Sequence, residues 1–264
     1  MPIPYFDTEI CLPPGDLTHE LVGELLDLML RRYRWFEPRR FGQIAPSRAM
    51  DPAHLDLEPL VAQYAEGRRL CVAARSDKDF IWFSPSPPGG SSFLGQISWT
   101  TYSRSALKAS WRLNHMRQVV ELMRLVHSPL GLAGLKRDLL SKRWRRVAES
   151  LPSEEEELTA SEEVPTVSDY SQGLAGLFWR NFFGPPFVRM FGERLDALPE
   201  EYRKRLGEGV VLVQPHAVPT EAGTHPGRER ERELISRLGP ECFYDHQHHT
   251  LPTRRPVLEV PGQK

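Results

Sequence analysis

A chain of 264 residues that is 40% hydrophobic and 26% charged, with a formal net charge of −1, has the composition of a soluble globular protein. That balance lacks the bulk basic footprint of a nucleic-acid binder, and no stretch reaches the roughly 18 consecutive apolar residues of a membrane span. Cys11, Cys71 and Cys242 are odd in number, far apart and without a C-x-x-C pair, so they read as reduced thiols rather than a disulfide framework.

The opening stretch MPIPYFDTEICLPPGD has prolines and acids where a signal peptide needs a basic region and an apolar run, so the expected compartment is the cytoplasm. A first strand is predicted around Tyr5–Leu12. Pro13-Pro14-Gly15 then turns the chain, and Asp16 is the expected cap of a helix over Leu17–Arg34, where Leu21, Val22, Leu25, Leu28 and Met29 recur at helical steps. Glu20, Glu24 and Asp27 share a face of that helix and read as solvated surface. A short helix is expected over Asp56–Tyr64. Arg69–Ala74, Asp79–Ser84 and Phe93–Thr101 are rich in Val, Ile, Phe, Trp and Thr and predict an antiparallel meander, with Pro85–Ser92 as a connector.

Ser105–His127 predicts one long amphipathic helix, and a second helical piece is expected to run to about Ala148. Arg104–Glu149 holds eleven Lys or Arg against three acids, so the polar face of these helices is basic. Arg137, Lys142, Arg143, Arg145 and Arg146 have the chemistry to bind phosphates, yet only Trp144 stands among them as an aromatic. Ser150–Asp169 inverts the charge: Glu154, Glu155, Glu156, Glu157, Glu162, Glu163 and Asp169 stand there without a base. Such a run is a solvated linker or loop that neutralises the neighbouring basic face, or a surface that attracts a cationic partner.

Gly173–Leu198 is the densest aromatic stretch in the chain. It is predicted to be two helices broken at Gly184-Pro185-Pro186, with Trp179 and its neighbours closing the core. A strand follows at Gly209–Gln214, then a charged helix over Pro226–Leu238 and an edge strand at Cys242–Tyr244. The tail from Gln247 is expected to be poorly ordered. Taken together these predict a single α+β domain over residues 1–245, an antiparallel or mixed sheet covered by several amphipathic helices, with the acidic loop at 150–169 and a flexible tail at 246–264.

No G-x-S-x-G, P-loop, H-E-x-x-H or G-x-G-x-x-G occurs. His115 and His127 lie beside apolar helix positions and read as structural. Asp245, His246, His248 and His249 have metal-ligand composition, but their spacing in a terminal loop lacks the rigidity of a closed zinc site, and no metal or other cofactor is assigned.

Residues Arg68–Asp245 resemble the immunity proteins of bacterial toxin systems, and most closely the immunity protein 52 type and related type VI secretion immunity proteins. The resemblance is carried by the β-pair followed by a long helix, Gly176-x-x-Trp179-x-x-Phe182-x-Gly184, the glycine-led strand and the terminal charged helix. It implies a non-enzymatic protein that occludes or distorts a cognate toxin, with no catalytic residues. The expected partner is a protein toxin with a basic surface, with neither nucleic acid nor membrane involved. Glu154, Glu155, Glu156, Glu157, Glu162 and Glu163 are the candidate contacts. An enzyme of unrecognised class using the terminal histidines, or a scaffold protein, is the alternative.

Overall fold

The computed structural model describes residues 5–15, 17–76, 78–86, 93–148 and 161–259, excepting the side chains of Ala148, Ser161 and Glu162. The first half of the chain runs β1 (Tyr5–Cys11), α1 (His19–Leu26), β2 (Arg40–Gly42), β3 (Arg48–Ala49), α2 (Glu58–Gly67), β4 (Leu70–Ala73), β5 (Phe80–Ser84), β6 (Gln96–Tyr102), α3 (Ser103–Ala106) and α4 (Ala109–Leu125). The second half runs β7 (Leu130–Leu135), α5 (Lys136–Arg143), β8 (Trp144–Ala148), β9 (Ser161–Pro165), β10 (Arg180–Phe183), α6 (Pro185–Phe191), α7 (Glu193–Asp196), β11 (Arg203–Arg205), β12 (Val211–Val213) and α8 (His225–Leu238). Ten strands make one sheet, ordered β11-β12-β10-β7-β1-β6-β5-β4-β2-β3, and its paired neighbours are antiparallel. The class is α+β, and the sheet is antiparallel.

Helices cover both faces. Ile10, Val72, Ile81, Phe83, Ile97 and Phe182 pack with α1, α2 and α4 on one side. Cys11, Leu132, Phe183, Val211 and Val213 pack with α6, α7 and α8 on the other. Alternation along β1 sends Phe6, Thr8 and Ile10 to the α4 face and Asp7, Glu9 and Cys11 to the α5 face. At the sheet's ends, the exposed Arg48 and the run Arg203-Lys204-Arg205 place charge on the edge strands, which discourages pairing with another chain.

Several local expectations are corrected. Thr18 rather than Asp16 caps α1, its hydroxyl accepting from the Leu21 amide at 3.2 Å; Asp16 lies outside the described residues. The first helix widens into a π turn over Asp27–Arg32. The helix expected over Ser105–His127 is split into α3 and α4, and the segment expected to continue as helix to Ala148 contains β7 and β8 with only α5 between them. β7, LGLAGL, is buried throughout, and α4 rests on Gly131, where an added Cβ would stand 3.0 Å from Met123 Sδ. The first of the two helices expected in Gly173–Leu198 is instead an extended segment leading into β10, because its side chains must face both layers: Phe182 one, Phe183 the other. Cys242–Tyr244 is not a strand: Cys242 ends a 3-10 turn over Pro240–Cys242, and Phe243 makes an isolated bridge with Leu174. The segment 247–259 is tied back, since the amides of Thr253 and Arg254 donate to the Glu241 carbonyl at 3.0 and 2.9 Å and Pro252 seats against Gly173.

Arg180, on β10, is 5% exposed and has no carboxylate among its partners in the described residues. Its Nε donates to Gln214 Oε1 at 2.8 Å, and its Nη1 to the Arg112 carbonyl at 2.8 Å and His115 Nδ1 at 2.9 Å. A guanidinium can only donate, so Nδ1 is the bare nitrogen of His115 and the proton sits on Nε2, which donates to Thr8 Oγ1 at 2.9 Å. Burial pulls Arg180 down to about 9, which leaves it charged at neutral pH. Burial, then the Arg180 charge, holds His115 well below its ordinary 6.5. The guanidinium lies 4.2 Å from the Trp179 ring centre, and Trp179 meets Phe6 edge-on at 5.2 Å.

Trp179 is fully buried, so Trp179→Ala is expected to cost about 3–5 kcal/mol in urea unfolding. The unfolded chain protonates His115 near 6.5 and the native chain does not, so unfolding takes up a proton below that pH. Stability from this group is complete above 6.5 and declines as pH falls towards the depressed native value, with a slope of at most about 1.4 kcal/mol per pH unit. His115→Gln keeps an acceptor for Arg180 and a donor for Thr8, and is expected to remove that part of the slope in unfolding measured between about pH 7 and about pH 5.

Candidate functional site

After α5 the chain leaves the body of the protein. β8 and β9 pair only with each other, as a two-stranded arm separate from the main sheet. The register sets Arg146 opposite Glu163 and Val147 opposite Glu162. The basic and acidic runs therefore meet across the arm, with Arg146 Nε 3.7 Å from Glu163 Oε1. Both side chains are largely exposed, so this pair contributes little stability. Of the predicted acidic contacts, Glu163 stands exposed on β9 and Glu162 lies on the same strand with its side chain outside the described residues. Glu154, Glu155, Glu156 and Glu157 belong to the connection between the two strands, also outside the described residues.

The root of the arm is held by specific bonds. The Thr166 hydroxyl donates to the Lys142 and Arg143 carbonyls at 2.8 and 3.1 Å, and its amide donates to the Arg143 carbonyl at 2.8 Å. Asp169 accepts from the Ser171 amide at 2.9 Å, and the Tyr170 hydroxyl donates to the Leu12 carbonyl at the end of β1. Arg143 reaches back to the sheet to pair with Glu9, and its guanidinium carbon lies 5.9 Å from the Phe178 ring centre. Burial works against the Arg143 charge, but the Glu9 carboxylate outweighs it, and the guanidinium stays firmly protonated.

Beneath the arm lies a cleft of about 420 Å³, lined mainly by apolar side chains, among them Phe93, Leu94, Leu132, Trp144, Leu174 and Phe178. This volume is within the range of ligand-sized pockets. Leu94 is 51% and Trp144 43% exposed at its mouth, so large apolar groups face solvent beside the arm. Cys11 lines the cleft, but burial pushes its thiol up to about 12, so it is not a thiolate nucleophile at neutral pH. The arrangement offers an apolar socket bordered by a cation already paired with Glu9.

The terminal acidic and histidine residues do not converge. Asp245 accepts from the Gln247 and His248 amides at 2.8 and 3.0 Å and contacts His248 Nδ1 at 2.7 Å, which hold its carboxyl down at about 2. His246 turns away to the Ala175 carbonyl at 2.7 Å, and His249 meets the Tyr244 hydroxyl at 3.4 Å. Among the described residues no group of three His, Cys, Asp or Glu side chains is placed to hold a metal ion. No described helix is long and apolar enough to cross a membrane. Sequence reasoning missed the cleft and the Glu9–Arg143 pair, because their members are far apart in the chain and share no spacing.

No family model matches the chain, and no curated protein matches it in sequence. In three dimensions it is similar to the Pseudomonas aeruginosa T6SS protein PA0821, with a TM-score of 0.59 at 13% identity over 97% of this chain and 80% of that one. What the two share is a fold.

The Glu9 side chain is 11% exposed and Arg143 26%, so Arg143→Met strands a mostly buried carboxylate. That variant is expected to lose about 3 kcal/mol in urea unfolding, and adding Glu9→Gln is expected to restore most of it, because the cost is that of an unpaired charge.

Proposed function

We propose that this chain is a non-enzymatic, cytoplasmic protein-binding module that neutralises a cognate bacterial toxin by direct contact through the arm and the cleft beneath it. The observation that carries the reading is the juxtaposition of the β8–β9 arm, which brackets the acidic run of the sequence, with an apolar socket whose mouth exposes Trp144 and Leu94. The immunity-type resemblance and the likeness to a T6SS protein support the same class.

The two parts of the face have different roles. Glu154–Glu157, Glu162 and Glu163 create a field that steers a basic toxin surface and speeds encounter. The socket then takes an apolar or aromatic anchor from the toxin and slows its release, as desolvated anchors do in other interfaces. A toxin whose basic surface binds an acidic substrate would have that surface covered, so steering and inhibition use the same charges.

The test is co-expression with the toxin encoded beside this chain. Protection of the cells and co-purification of the two proteins are expected, and loss of both would overturn the reading. Replacing Glu154–Glu157 by Gln is expected to slow association by about tenfold at low salt and flatten its salt dependence. Trp144→Ala is expected to act mainly on dissociation, by about tenfold or more. Both rates are read by surface plasmon resonance.

A further inference from the structure

On the far side of α5 from the arm, a cleft of about 890 Å³ opens between α5, the Gly176–Leu177 segment, the Ala222–Gly223 turn and α8. Its floor holds a buried ionic network. Lys142 Nζ lies 2.9 Å from Asp138 Oδ1 and 2.8 Å from Glu231 Oε2, and donates to the Leu177 carbonyl at 2.5 Å, so its three protons are in use. The other oxygen of Glu231 meets His216 Nε2 at 2.7 Å. Asp138 and Glu231 are thus turned inward, occupied with Lys142 and His216.

The rim is different. Arg228 Nη1 donates to the Gly223 carbonyl at 3.1 Å, and Arg137 Nη2 would lie 3.1 Å from a Cβ at Gly223. Two guanidinium groups therefore converge on one residue, and that residue lacks the side chain that would push one aside. Arg232 follows Arg228 by one turn on α8 and lines the same cleft. Among the described residues Arg137 has no carboxylate partner, and Arg232 approaches only Glu229, at 4.0 Å on the exposed surface. Converging like charges are unfavourable without an anion between them. The planar fork of arginine matches phosphate oxygens in pairs, and the positive end of α8 adds to the field. Leu177, Ala222 and Ile235 supply an apolar wall beside these charges.

We infer that this cleft binds a small molecule carrying two or more linked phosphate groups, gripped by Arg137, Arg228 and Arg232. The inference is independent of the toxin-binding face, since none of these three residues lines the cleft under the arm. Isothermal titration of the full chain with pyrophosphate and, separately, with adenosine diphosphate tests it. Saturable binding with a Kd of about 1 mM or tighter is expected for at least one of them, weakened about tenfold or more by Arg228→Ala and by Arg232→Ala. Tighter binding of the nucleotide identifies an organic diphosphate, held also by the apolar wall; equal binding identifies free polyphosphate. The arginines are exposed, so these variants are expected to keep the circular dichroism spectrum and melting temperature of the parent. No saturable binding of either probe, or binding unchanged in the Arg228→Glu/Arg232→Glu double variant, would overturn the inference.

Discussion

A single buried cation ties the middle of the sheet together. Arg180 on β10 reaches Gln214 just beyond β12 and both Arg112 and His115 on α4, and His115 passes the tie on to Thr8 on β1. A charge in that position is costly unless its donors find acceptors, and neutral acceptors rather than a carboxylate meet Nε and Nη1. The same requirement dictates which nitrogen of His115 carries the proton. It also explains the aromatic box of Phe6, Trp111 and Trp179, which excludes water and offers a ring face to the guanidinium. Directional bonds of this kind specify one register of helix on sheet, where apolar packing alone tolerates several.

The opposite face of the sheet is organised by ion pairs. Glu9 on β1 holds Arg143 at the end of α5, and Lys142, its neighbour, is held by Asp138 and Glu231. These contacts fix the point at which the chain turns out into the arm. Adjacent residues of one helix therefore serve two clefts: Arg143 borders the apolar socket and Lys142 the floor of the arginine-rimmed cleft.

Elements with ordinary local chemistry were legible in the sequence. β4 to β6 announce themselves by β-branched and aromatic residues, and α8 by helical spacing ended at Gly239. β7 was hidden because a strand covered on both faces loses alternation, and Leu, Gly and Ala do not favour strands intrinsically. β10 was hidden because aromatics at positions 178, 179, 182 and 183 fit a helical period, whereas the buried Arg180 and Asn181 are satisfied only in a strand: Asn181 bonds the Phe178 amide and carbonyl and the Val213 carbonyl. Of the basic run, Arg146 faces the acidic run at Glu163, whereas Lys142 and Arg143 pair with Glu231 and Glu9 from other parts of the chain, which the sequence order hides. Neither cleft was legible, since each is assembled from segments that only tertiary structure brings together.

The functional account rests on one face, the arm with its socket, acting as the site where a basic protein is captured. Hydrogen–deuterium exchange of the chain with and without its co-expressed toxin tests this most directly. The account predicts protection concentrated in residues 144–148 and 161–169 and around Leu94, with α1 and α2 on the far face unchanged. Protection confined to α1 and α2, with exchange in the arm unaltered, would contradict it.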